Sequence, residues 1–367
     1  MPLHARPRPE ALLGRLEQPV FRPEALNLIQ GKRVLVTGAA GSIGSELVRQ
    51  IRRLRPDSVL QVDADEGRLH ALQLELEGEG FVNEMGPILA DIRHLATLDD
   101  VLATYKPEVV FHAAAVKHLA LLERHVCEAV RTNVMGSKNV IEAAIDHGAE
   151  VVVNVSTDKA ADPTSVLGAT KRLAELLARP RPGSRTRVAS VRFGNVLGSR
   201  GSFYDTLAHQ ITHDLPVTIT DPAVTRYLMT IPEAAGLVIE AGTMAQTGEV
   251  YILDMGEPVR ILDVVERYAT HAGVPKPAIK IIGLGPGEKL HEVLFSRTEL
   301  DEPTHVGRVW RSPAPVVSRW TEEQIERLIR AGEAGDVAAV GEILVSYFPG
   351  LERPTSDALP DVEAVPA

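Results

Sequence analysis

Short apolar runs alternate with helical apolar spacing through the first half of this chain. Runs over residues 33–37, 58–62, 109–112 and 151–155 have the length and Val/Leu content of strands buried in a parallel sheet. Helical spacing follows the first run from Ile43 to Leu54, and further helices are predicted over 134–144 and around Leu69, Leu72, Leu74 and Leu76. This alternation predicts an α/β fold with a Rossmann-type doubly wound parallel sheet.

The alternation of predicted strands and helices becomes irregular after Arg192. Short strands are predicted over 216–220, 250–253 and 279–282, with helices such as 262–272 between them. This mixture indicates a smaller mixed α/β lobe that covers a ligand. Near the end, Thr321-Glu-Glu-Gln324 has the capping pattern of a helix start, and an apolar face is supplied by Trp320, Ile325, Leu328 and Ile329.

Composition excludes several classes of function. The net charge of −10, from 39 basic and 49 acidic residues, argues against a nucleic-acid-binding protein that neutralises phosphates. Cys127 is the only cysteine, so an intrachain disulfide and a four-thiolate zinc site are excluded, and nothing in the sequence supports another metal site. Because no secretory signal and no apolar run near the roughly 18 residues of a membrane span are found, we expect a cytoplasmic protein without membrane contact.

A glycine-rich turn follows the first predicted strand. Thr37-Gly-Ala-Ala-Gly-Ser-Ile-Gly44 places Gly38, Gly41 and Gly44 between strand and helix, with Ser42 and Ile43 at the helix start. Such a turn lets backbone N–H groups approach a pyrophosphate at the helix amino terminus. The second strand leads to Asp63, where a carboxylate can bind adenosine ribose hydroxyls. Acidic neighbours disfavour a 2′-phosphate, so the sequence predicts NAD rather than NADP.

Charged residues follow the predicted strand at 151–155. Thr157, Asp158 and Lys159 stand at the carboxyl edge of the sheet, where ligands of open α/β sheets bind. Lys171 stands four positions after Leu167, which resembles the Tyr and Lys spacing of short-chain dehydrogenase/reductases with leucine in place of the tyrosine. Since leucine has no proton to exchange, the adjacent Asp and Lys are the candidate acid and base. Neighbouring charge and burial can shift both pKa values towards a working range.

Several longer segments resemble one family of sugar-modifying enzymes. The spacing of the glycine turn is similar to that of the extended short-chain dehydrogenase/reductases. The resemblance narrows to UDP-N-acetylglucosamine 4,6-dehydratases of the polysaccharide-biosynthesis branch (CapD-like), over residues 10 to about 296. The matching segments include VLVTGAAGSIGSELVRQI, FHAAAVKHLALLE, TNVMGSKNV, VSTDKAADPTSVLGATKR, VRFGNVLGSRGS, VTRYLMTIPEAA, YILDMGEPVRILD and GPGEKLHEVL. Many members carry membrane helices ahead of this unit, so a soluble form is expected here.

The resemblance implies a role for each matching position. Thr157 would orient the C4 hydroxyl of a UDP-sugar, Asp158 would be the acid on the C6 side, and Lys159 would be the C5 base. Lys171 would hold the nicotinamide ribose, with the cofactor also contacted by Asp91, Ile92, Ala113, Ala114, Ala115 and Asn133. The substrate would be contacted by Lys117, Asn195, Ser199, Arg200, Thr218, Arg226 and Glu288. Relatives assemble as homodimers or larger oligomers, and we expect the same here.

The division of the chain follows from these assignments. Residues 1–30 are predicted to form an N-terminal arm with one helix over 10–16, and 31–195 the NAD-binding Rossmann domain. Residues 196–312 form mainly the substrate-binding lobe, with some segments returning to the Rossmann domain. Residues 313–350 form C-terminal helices, and 351–367 are expected to be a disordered tail.

Two departures from the family pattern keep alternatives open. Leu167 replaces a residue that is generally Met in the related retaining dehydratases. Gly285 replaces the usual arginine that clamps the nucleotide phosphates, a charge-assisted contact that Arg260, Arg297 or Lys289 would have to supply. The leading hypothesis is a UDP-N-acetylglucosamine 4,6-dehydratase that recycles NAD. The alternatives are a related 5,6-dehydratase or 4-epimerase and, from another class, a non-catalytic NAD-sensing scaffold.

Overall fold

A nine-stranded sheet runs through the centre of the protein in the computed structural model, which describes residues 6–17, 23–78, 86–179, 181–299, 301–313 and 320–352. The strands along the chain are β1 Arg33–Thr37, β2 Ser58–Asp63, β3 Pro87–Leu89, β4 Val109–His112, β5 Val151–Val155, β6 Arg187–Arg192, β7 Asn195–Leu197, β8 Val217–Ile219, β9 Thr225–Arg226, β10 Leu228–Thr230, β11 Val250–Leu253, β12 Val259–Arg260, β13 Ile279–Ile281, β14 Glu302–Pro303 and β15 Val309–Ser312. The order in the main sheet is β14-β15-β11-β6-β5-β4-β1-β2-β3. Strands β3 to β11 in that order are parallel, whereas β15 and β14 extend the edge in antiparallel pairs.

Helices cover both faces of this sheet. They are α1 Pro23–Ile29, α2 Ser42–Arg53, α3 Glu66–Glu77, α4 Leu95–Tyr105, α5 Leu119–Leu122, α6 Val126–Ala129, α7 Ser137–Asp146, α8 Val166–Leu176, α9 Phe203–Thr212, α10 Ile231–Met244, α11 Ile261–Ala272, α12 Glu322–Ala334 and α13 Val337–Tyr347. Side chains alternate along β1, so Val36 packs with α1, α2 and α10 while Leu35 packs with α4 and α7. The run β3-β2-β1-β4-β5-β6 is the Rossmann order, which confirms the predicted doubly wound fold.

A smaller group of elements follows β6 along the chain and lies outside the nine-stranded sheet. Two-stranded pairings join β7 with β10, β9 with β12, and β8 with β13. Their apolar core includes Leu207 of α9, Ile219 of β8 and Val264 of α11. Leu12 and Leu13 of the amino-terminal segment are buried in the same cluster. These elements belong to the segment predicted to form the substrate-binding lobe. The division of the chain into domains stays a prediction.

Local details differ from the sequence-based expectations in three places. The helix expected over 10–16 is a single 3-10 turn, Pro9–Leu12, because Leu12 and Leu13 turn together into the apolar core. The helix expected over 134–144 begins earlier, with α6 leading through a π-helical segment, Val130–Gly136, into α7. Leu69 and Leu72 of α3 are buried as their spacing predicts, but Leu74 is 46% exposed.

The C-terminal helices begin as the sequence predicts. Thr321 accepts a hydrogen bond from the Gln324 N–H and the Gln324 side chain accepts one from the Thr321 N–H, which is a reciprocal capping box. Trp320 and Ile325 are buried against α6 and α8. The tail expected to be disordered lies, from residue 353, outside the described residues. Among the described residues, no helix has the length and apolarity needed to cross a membrane.

A buried ionic network joins the sheet to α8 and to the segment that precedes β14. Arg192, at the end of β6, is fully buried and donates to both carboxylate oxygens of Glu175, at 2.9 and 2.7 Å. It also donates to both oxygens of Glu299, at 2.7 and 2.9 Å. Ser156, directly after β5, donates to Glu175 at 2.6 Å. Burial alone would raise the pKa of Glu299, but its bonds to Arg192 hold it at about 2.

Replacing Arg192 by Met should strongly destabilise the fold. Removing one member of a buried ionic network leaves its partners poorly compensated, here Glu175 and Glu299 with Arg172 as their remaining ion-pair partner, at a cost of about 3–5 kcal/mol. Arg181→Met is the matched control, because Arg181 pairs with Glu142 and Asp146 at 38% side-chain exposure, where pairs contribute about 0–1 kcal/mol. Chemical denaturation gives both free energies of unfolding. Equal losses in the two variants would show that the buried network has no special role.

Candidate active site

The glycine-rich turn between β1 and α2 packs directly against the loop that follows β4. Gly38 has a φ of +64°, and a Cβ at this position would lie 2.6 Å from the backbone of Ala114. A Cβ on Gly44 would lie 2.0 Å from the Gly38 carbonyl oxygen. Helix α2 begins after Gly41 with no side-chain cap, so the first N–H groups of the helix are available to an anion. The turn therefore fits a dinucleotide pyrophosphate, as its sequence predicts.

An open cleft adjoins this turn at the amino end of α2. Its volume is about 490 Å³, and its lining includes Ser42, Arg68 and Arg200. Asp63 stands at the end of β2 and accepts hydrogen bonds from the N–H groups of Ala40, at 2.9 Å, and Asp65, at 3.0 Å. The carboxylate predicted to bind ribose is thus held beside the glycine-rich turn.

Asp158 and Lys159 form a buried ion pair at the carboxyl end of β5. Thr157 caps the short 3-10 turn Asp158–Ala160, and its hydroxyl donates to Asp158 Oδ1 at 2.9 Å. Lys159 Nζ donates to the same Asp158 oxygen at 3.0 Å and to Asn195 Oδ1 at 3.3 Å. The Asp158 side chain is fully buried and that of Lys159 is 16% exposed. The predicted base, Lys159, is therefore within hydrogen-bonding distance of both the predicted acid and Asn195.

Carboxylates determine the charge of Lys159. Burial alone would lower its pKa, but Asp158 and then Glu292 outweigh burial and raise it. Glu292 Oε1 lies 3.6 Å from Lys159 Nζ. The ammonium form of Lys159 is consequently favoured in the ligand-free protein, with Asp158 as its hydrogen-bonded partner.

Lys171 lies on α8, the helix that packs against the Asp158–Lys159 turn. A Cβ on Gly168 would lie 2.2 Å from the Lys159 carbonyl oxygen, which shows how closely the helix and the turn approach. Lys171 is buried, and burial lowers its pKa to about 8. Burial likewise lowers the pKa of His112, at the end of β4, to about 3. His112 contacts the hydroxyls of Thr37 and Ser137 and is neutral at physiological pH.

Leu167 fills the position at which a tyrosine would stand. It is 5% exposed and belongs to an apolar cluster that includes Leu173 of α8 and Leu328 and Leu344 of the C-terminal helices. The absent phenol is thus replaced by core packing between α8 and the C-terminal helices.

The loop after β4 is fixed by Asn133 and reaches the segment after β7. Asn133 accepts a hydrogen bond from the Val116 N–H and donates to the Val116 carbonyl oxygen, both at 3.0 Å. Beside it, Lys117 Nζ donates to Ser199 Oγ at 3.2 Å. The adjacent Arg200 donates from its backbone N–H to Ser42 Oγ at 3.0 Å, and its guanidinium bonds the Ala40 carbonyl oxygen. Arg200, which was predicted to face the substrate, is therefore hydrogen-bonded to the glycine-rich turn.

Arg226 and Glu288 form the centre of a polar cluster near Gly285. Arg226 Nη2 donates to Glu288 Oε1 at 2.6 Å, and the Arg226 side chain is 8% exposed. Glu288 also accepts from Thr220 Oγ1 at 3.1 Å and from the Gly285 N–H at 3.2 Å. Gly285 itself lines an open cleft of about 480 Å³, together with Thr164 and the 286–289 segment.

The residues proposed to replace the missing arginine have other contacts. Lys289 donates to the Ala161 carbonyl oxygen at 2.8 Å, so it faces the turn that carries Asp158 and Lys159. Arg260 pairs with Asp263 on the surface. The Arg297 side chain is 94% exposed, 3.8 Å from Asp162.

Of the remaining predicted residues, Thr218, Asp91 and Ile92 have partners outside these clusters, whereas the alanines lie beside the glycine-rich turn. Thr218 on β8 exchanges hydrogen bonds with Gln210, whereas Thr220, two residues later, reaches Glu288. Asp91 pairs with Arg93, and the Ile92 carbonyl oxygen accepts from Asn139. Ala113 and Ala114 lie against the glycine-rich turn, and Ala115 follows them along the same loop.

The sequence interpretation missed Glu292. This residue lies far from β5 along the chain. The same segment also contains Glu288 and Lys289, whose side chains are equally able to carry charge or transfer a proton. Only the folded arrangement selects Glu292 as the carboxylate that faces Lys159.

Sequence comparisons place the chain among proteins of polysaccharide synthesis. The family described as polysaccharide biosynthesis protein matches residues 34–313. The probable polysaccharide biosynthesis protein EpsC of Bacillus subtilis is 42% identical over 86% of this chain and 54% of its own length. The capsular polysaccharide biosynthesis protein CapD of Staphylococcus aureus is 41% identical over 82% of this chain and 51% of its own length. The chain thus spans about half the length of these two relatives. A UDP-glucose 4-epimerase of Rickettsia prowazekii is 32% identical over 77% of this chain and 83% of its own length.

Solved structures share the fold. Pen from Bacillus thuringiensis is 32% identical, with a TM-score of 0.72 over 80% of this chain and 89% of Pen. The UDP-glucose 4-epimerase of Thermus thermophilus, solved in complex with NAD, is 24% identical, with a TM-score of 0.61 over 71% of this chain and 90% of that enzyme. Neighbours with this Rossmann fold therefore bind NAD.

Lys171 should titrate far below an exposed lysine. Trace acylation modifies only unprotonated amines, so the modification of Lys171, scaled to its own plateau, should be half-maximal near pH 8. Lys32 is the internal control, because hydrogen bonding to Glu150 raises its pKa above the ordinary value. Peptide mass spectrometry across a pH series measures both. A Lys171 midpoint at or above that of Lys32 would contradict the effect assigned to burial.

Proposed function

This chain belongs to the polysaccharide biosynthesis protein family, and we propose that it is an NAD-dependent dehydratase of a nucleotide-activated hexose. The substrate proposed is UDP-N-acetylglucosamine, and the product is its 4-keto-6-deoxy derivative. The observation that supports this best is the buried Asp158–Lys159 pair beside the carboxyl edge of a Rossmann sheet. A dehydration needs one group that accepts the C5 proton and another that protonates the leaving C6 hydroxyl.

The glycine-rich turn and Asp63 would hold the cofactor, with Lys171 at its nicotinamide ribose. The chemistry supplied by NAD, when bound, would be the reversible uptake of a hydride, from C4 and back to C6. The fit rests on Gly38 and Gly44, where any side chain would clash with the neighbouring backbone. Thr157 would orient the C4 hydroxyl.

Proton transfer within the pair prepares both roles. Lys159 Nζ and Asp158 Oδ1 are 3.0 Å apart, so one proton shift converts ammonium and carboxylate into a neutral amine and a carboxylic acid. The amine of Lys159 then accepts the C5 proton, and the acid of Asp158 protonates the C6 hydroxyl, which leaves as water. Lys159 returns its proton to C5 when the hydride reaches C6. The C4 hydroxyl proton leaves to water during the oxidation, and Lys159 takes one proton back from water at the end, so the cycle balances.

A 4-epimerase is the competing function. The UDP-glucose 4-epimerase relative of Rickettsia prowazekii, at 32% identity, favours it. Epimerisation uses only oxidation and reduction at C4, so it gives no role to a buried acid beside a lysine. Both reactions begin with oxidation at C4, so the loss of the tyrosine at Leu167 does not distinguish them. The buried acid beside the lysine therefore favours dehydration.

Incubation of the purified protein with UDP-N-acetylglucosamine and NAD should give a product lighter by one water. Mass spectrometry detects the loss, and NMR detects the new C6 methyl group. Asp158→Asn and Lys159→Met should each lower turnover by about a hundredfold or more, within the range assigned to general acid–base groups, with NAD binding retained. A product of unchanged mass with inverted C4 would establish the epimerase instead. No turnover by a protein that binds NAD would favour the sensing scaffold after other nucleotide sugars had been tried.

Gly44→Ala should weaken NAD binding by at least about tenfold, or 1.4 kcal/mol. The new methyl group would clash with the Gly38 carbonyl oxygen and displace the turn from the pyrophosphate. Gly67→Ala is the matched control, since its Cβ would meet only Asp65 Oδ1, at an ordinary 3.7 Å. Calorimetry on protein freed of nucleotide measures both affinities. Equal affinity in the two variants would remove the glycine turn from the proposed cofactor site.

A further inference from the structure

The carboxylate of Glu292 contacts the proposed base but has no part in the cycle described so far. Its side chain is 2% exposed, and its Oε1 lies 3.6 Å from Lys159 Nζ. Its Oε2 lies 3.7 Å from Lys289 Nζ. Within the described part of the chain, this buried Oε2 accepts no hydrogen bond. Glu292 thus faces two ammonium groups at ion-pair distance, without a directed bond to either.

A buried carboxylate at such distances acts through its charge. Both separations exceed that of a hydrogen bond, and removal of a carboxylate from water is unfavourable unless cations compensate it. The same segment grips the Asp158–Lys159 turn through Lys289, which donates to the Ala161 carbonyl oxygen. Glu292 is therefore held in place beside Lys159.

We propose that Glu292 is a positioning residue for Lys159: it is the second carboxylate beside the amine and stabilises the ammonium formed when Lys159 accepts the C5 proton. This inference rests on the proposed dehydratase cycle. Asp158 cannot stabilise that ammonium by charge, because in the cycle Asp158 is protonated when Lys159 accepts the proton. Glu292 is then the carboxylate that still faces the amine, so it increases the basicity of Lys159 at the step that needs it.

The charges around Lys159 agree with this role. Asp158 faces it from its own turn, Glu292 and Lys289 from the segment after Gly285, and Arg226 from β9. Burial lowers the pKa of Lys159, and Arg226 lowers it further, but the two carboxylates together raise it above the ordinary value.

The outer neighbours of the cluster are also charged or titratable. Lys289 faces Asp162 as well as the two inner carboxylates, and burial lowers its pKa. Tyr227 faces Asp158, and burial raises its pKa. Glu292 itself pairs with Lys159 and Lys289. A change confined to Glu292 therefore acts mainly on these two amines.

Glu292→Gln removes the charge and keeps the shape of the side chain. Since the carboxylate raises the pKa of Lys159, its removal should lower the pH of half-maximal trace acylation of Lys159 by about one to three units. The limb of the pH–rate profile that reports Lys159 should move in the same direction. Glu292→Asp moves the charge away by one methylene group, so it should lower the acylation midpoint of Lys159 and the limb of the pH–rate profile by a smaller amount. This variant provides a second measurement if Glu292→Gln folds poorly.

Glu266→Gln is the control, because it removes a carboxylate that pairs with Lys276 on the surface, with a side chain 53% exposed, and that is not among the charges acting on Lys159. It should leave the Lys159 midpoint unchanged. If both Glu292 variants lower turnover or thermal stability but leave that midpoint unmoved, Glu292 has only a structural role and the inference is overturned.

The two readouts separate this inference from the proposed function. Acylation of Lys159 needs no substrate, so a midpoint that moves in a protein that dehydrates no nucleotide sugar would overturn the dehydratase proposal and support the coupling of Glu292 to Lys159. Dehydration by the wild type with an unmoved midpoint would overturn the inference alone.

Discussion

The burial of Arg192 is the constraint on which the active-site region depends. Its guanidinium is inaccessible to water and binds Glu175 of α8 and Glu299 of the segment before β14. Because a buried charge without its partners is strongly unfavourable, these elements cannot separate from the sheet one at a time. Glu175 lies one helical turn after Lys171 and accepts from Ser156, the residue before Thr157. The network thus fixes the helix and the turn that carry the proposed chemistry.

The same requirement for paired charge continues towards the substrate side. Asp158, Lys159, Glu292 and Lys289 alternate in sign, each within 3.7 Å of the next. A proton can move between Lys159 and Asp158 without changing the total charge of this cluster. Low exposure makes each of these interactions stronger than it would be in water. A buried, charge-balanced cluster is therefore suited to pass protons to and from a sugar.

The sequence predicted the features that depend on local pattern. The parallel strands, the glycine-rich turn and the Thr321 capping box each follow from a few neighbouring residues, and the structure has them where they were expected. Glu292 and the Arg192 network were out of reach, because their partners come from segments far apart in the chain. The spacing of α3 likewise could not show that Leu74 would be exposed, since that depends on which face the sheet covers.

Arg226, which shares Glu288 with the Gly285 N–H, is engaged by oxygens of its own neighbours. Arg226 donates to Glu288, at 2.6 Å, and to the carbonyl oxygens of Thr225 and Leu290, at 2.7 and 3.2 Å. A guanidinium engaged in this way must release Glu288 before it can bind a phosphate bidentately, because both demand the same planar fork. Glu288 in turn accepts a hydrogen bond from the Gly285 N–H, so the same carboxylate holds both the arginine and the loop. In the proposed enzyme, nucleotide binding at this loop would be coupled to the opening of the Arg226–Glu288 pair. Because Arg226 also faces Lys159 and lowers its pKa, that opening would also affect the proposed base.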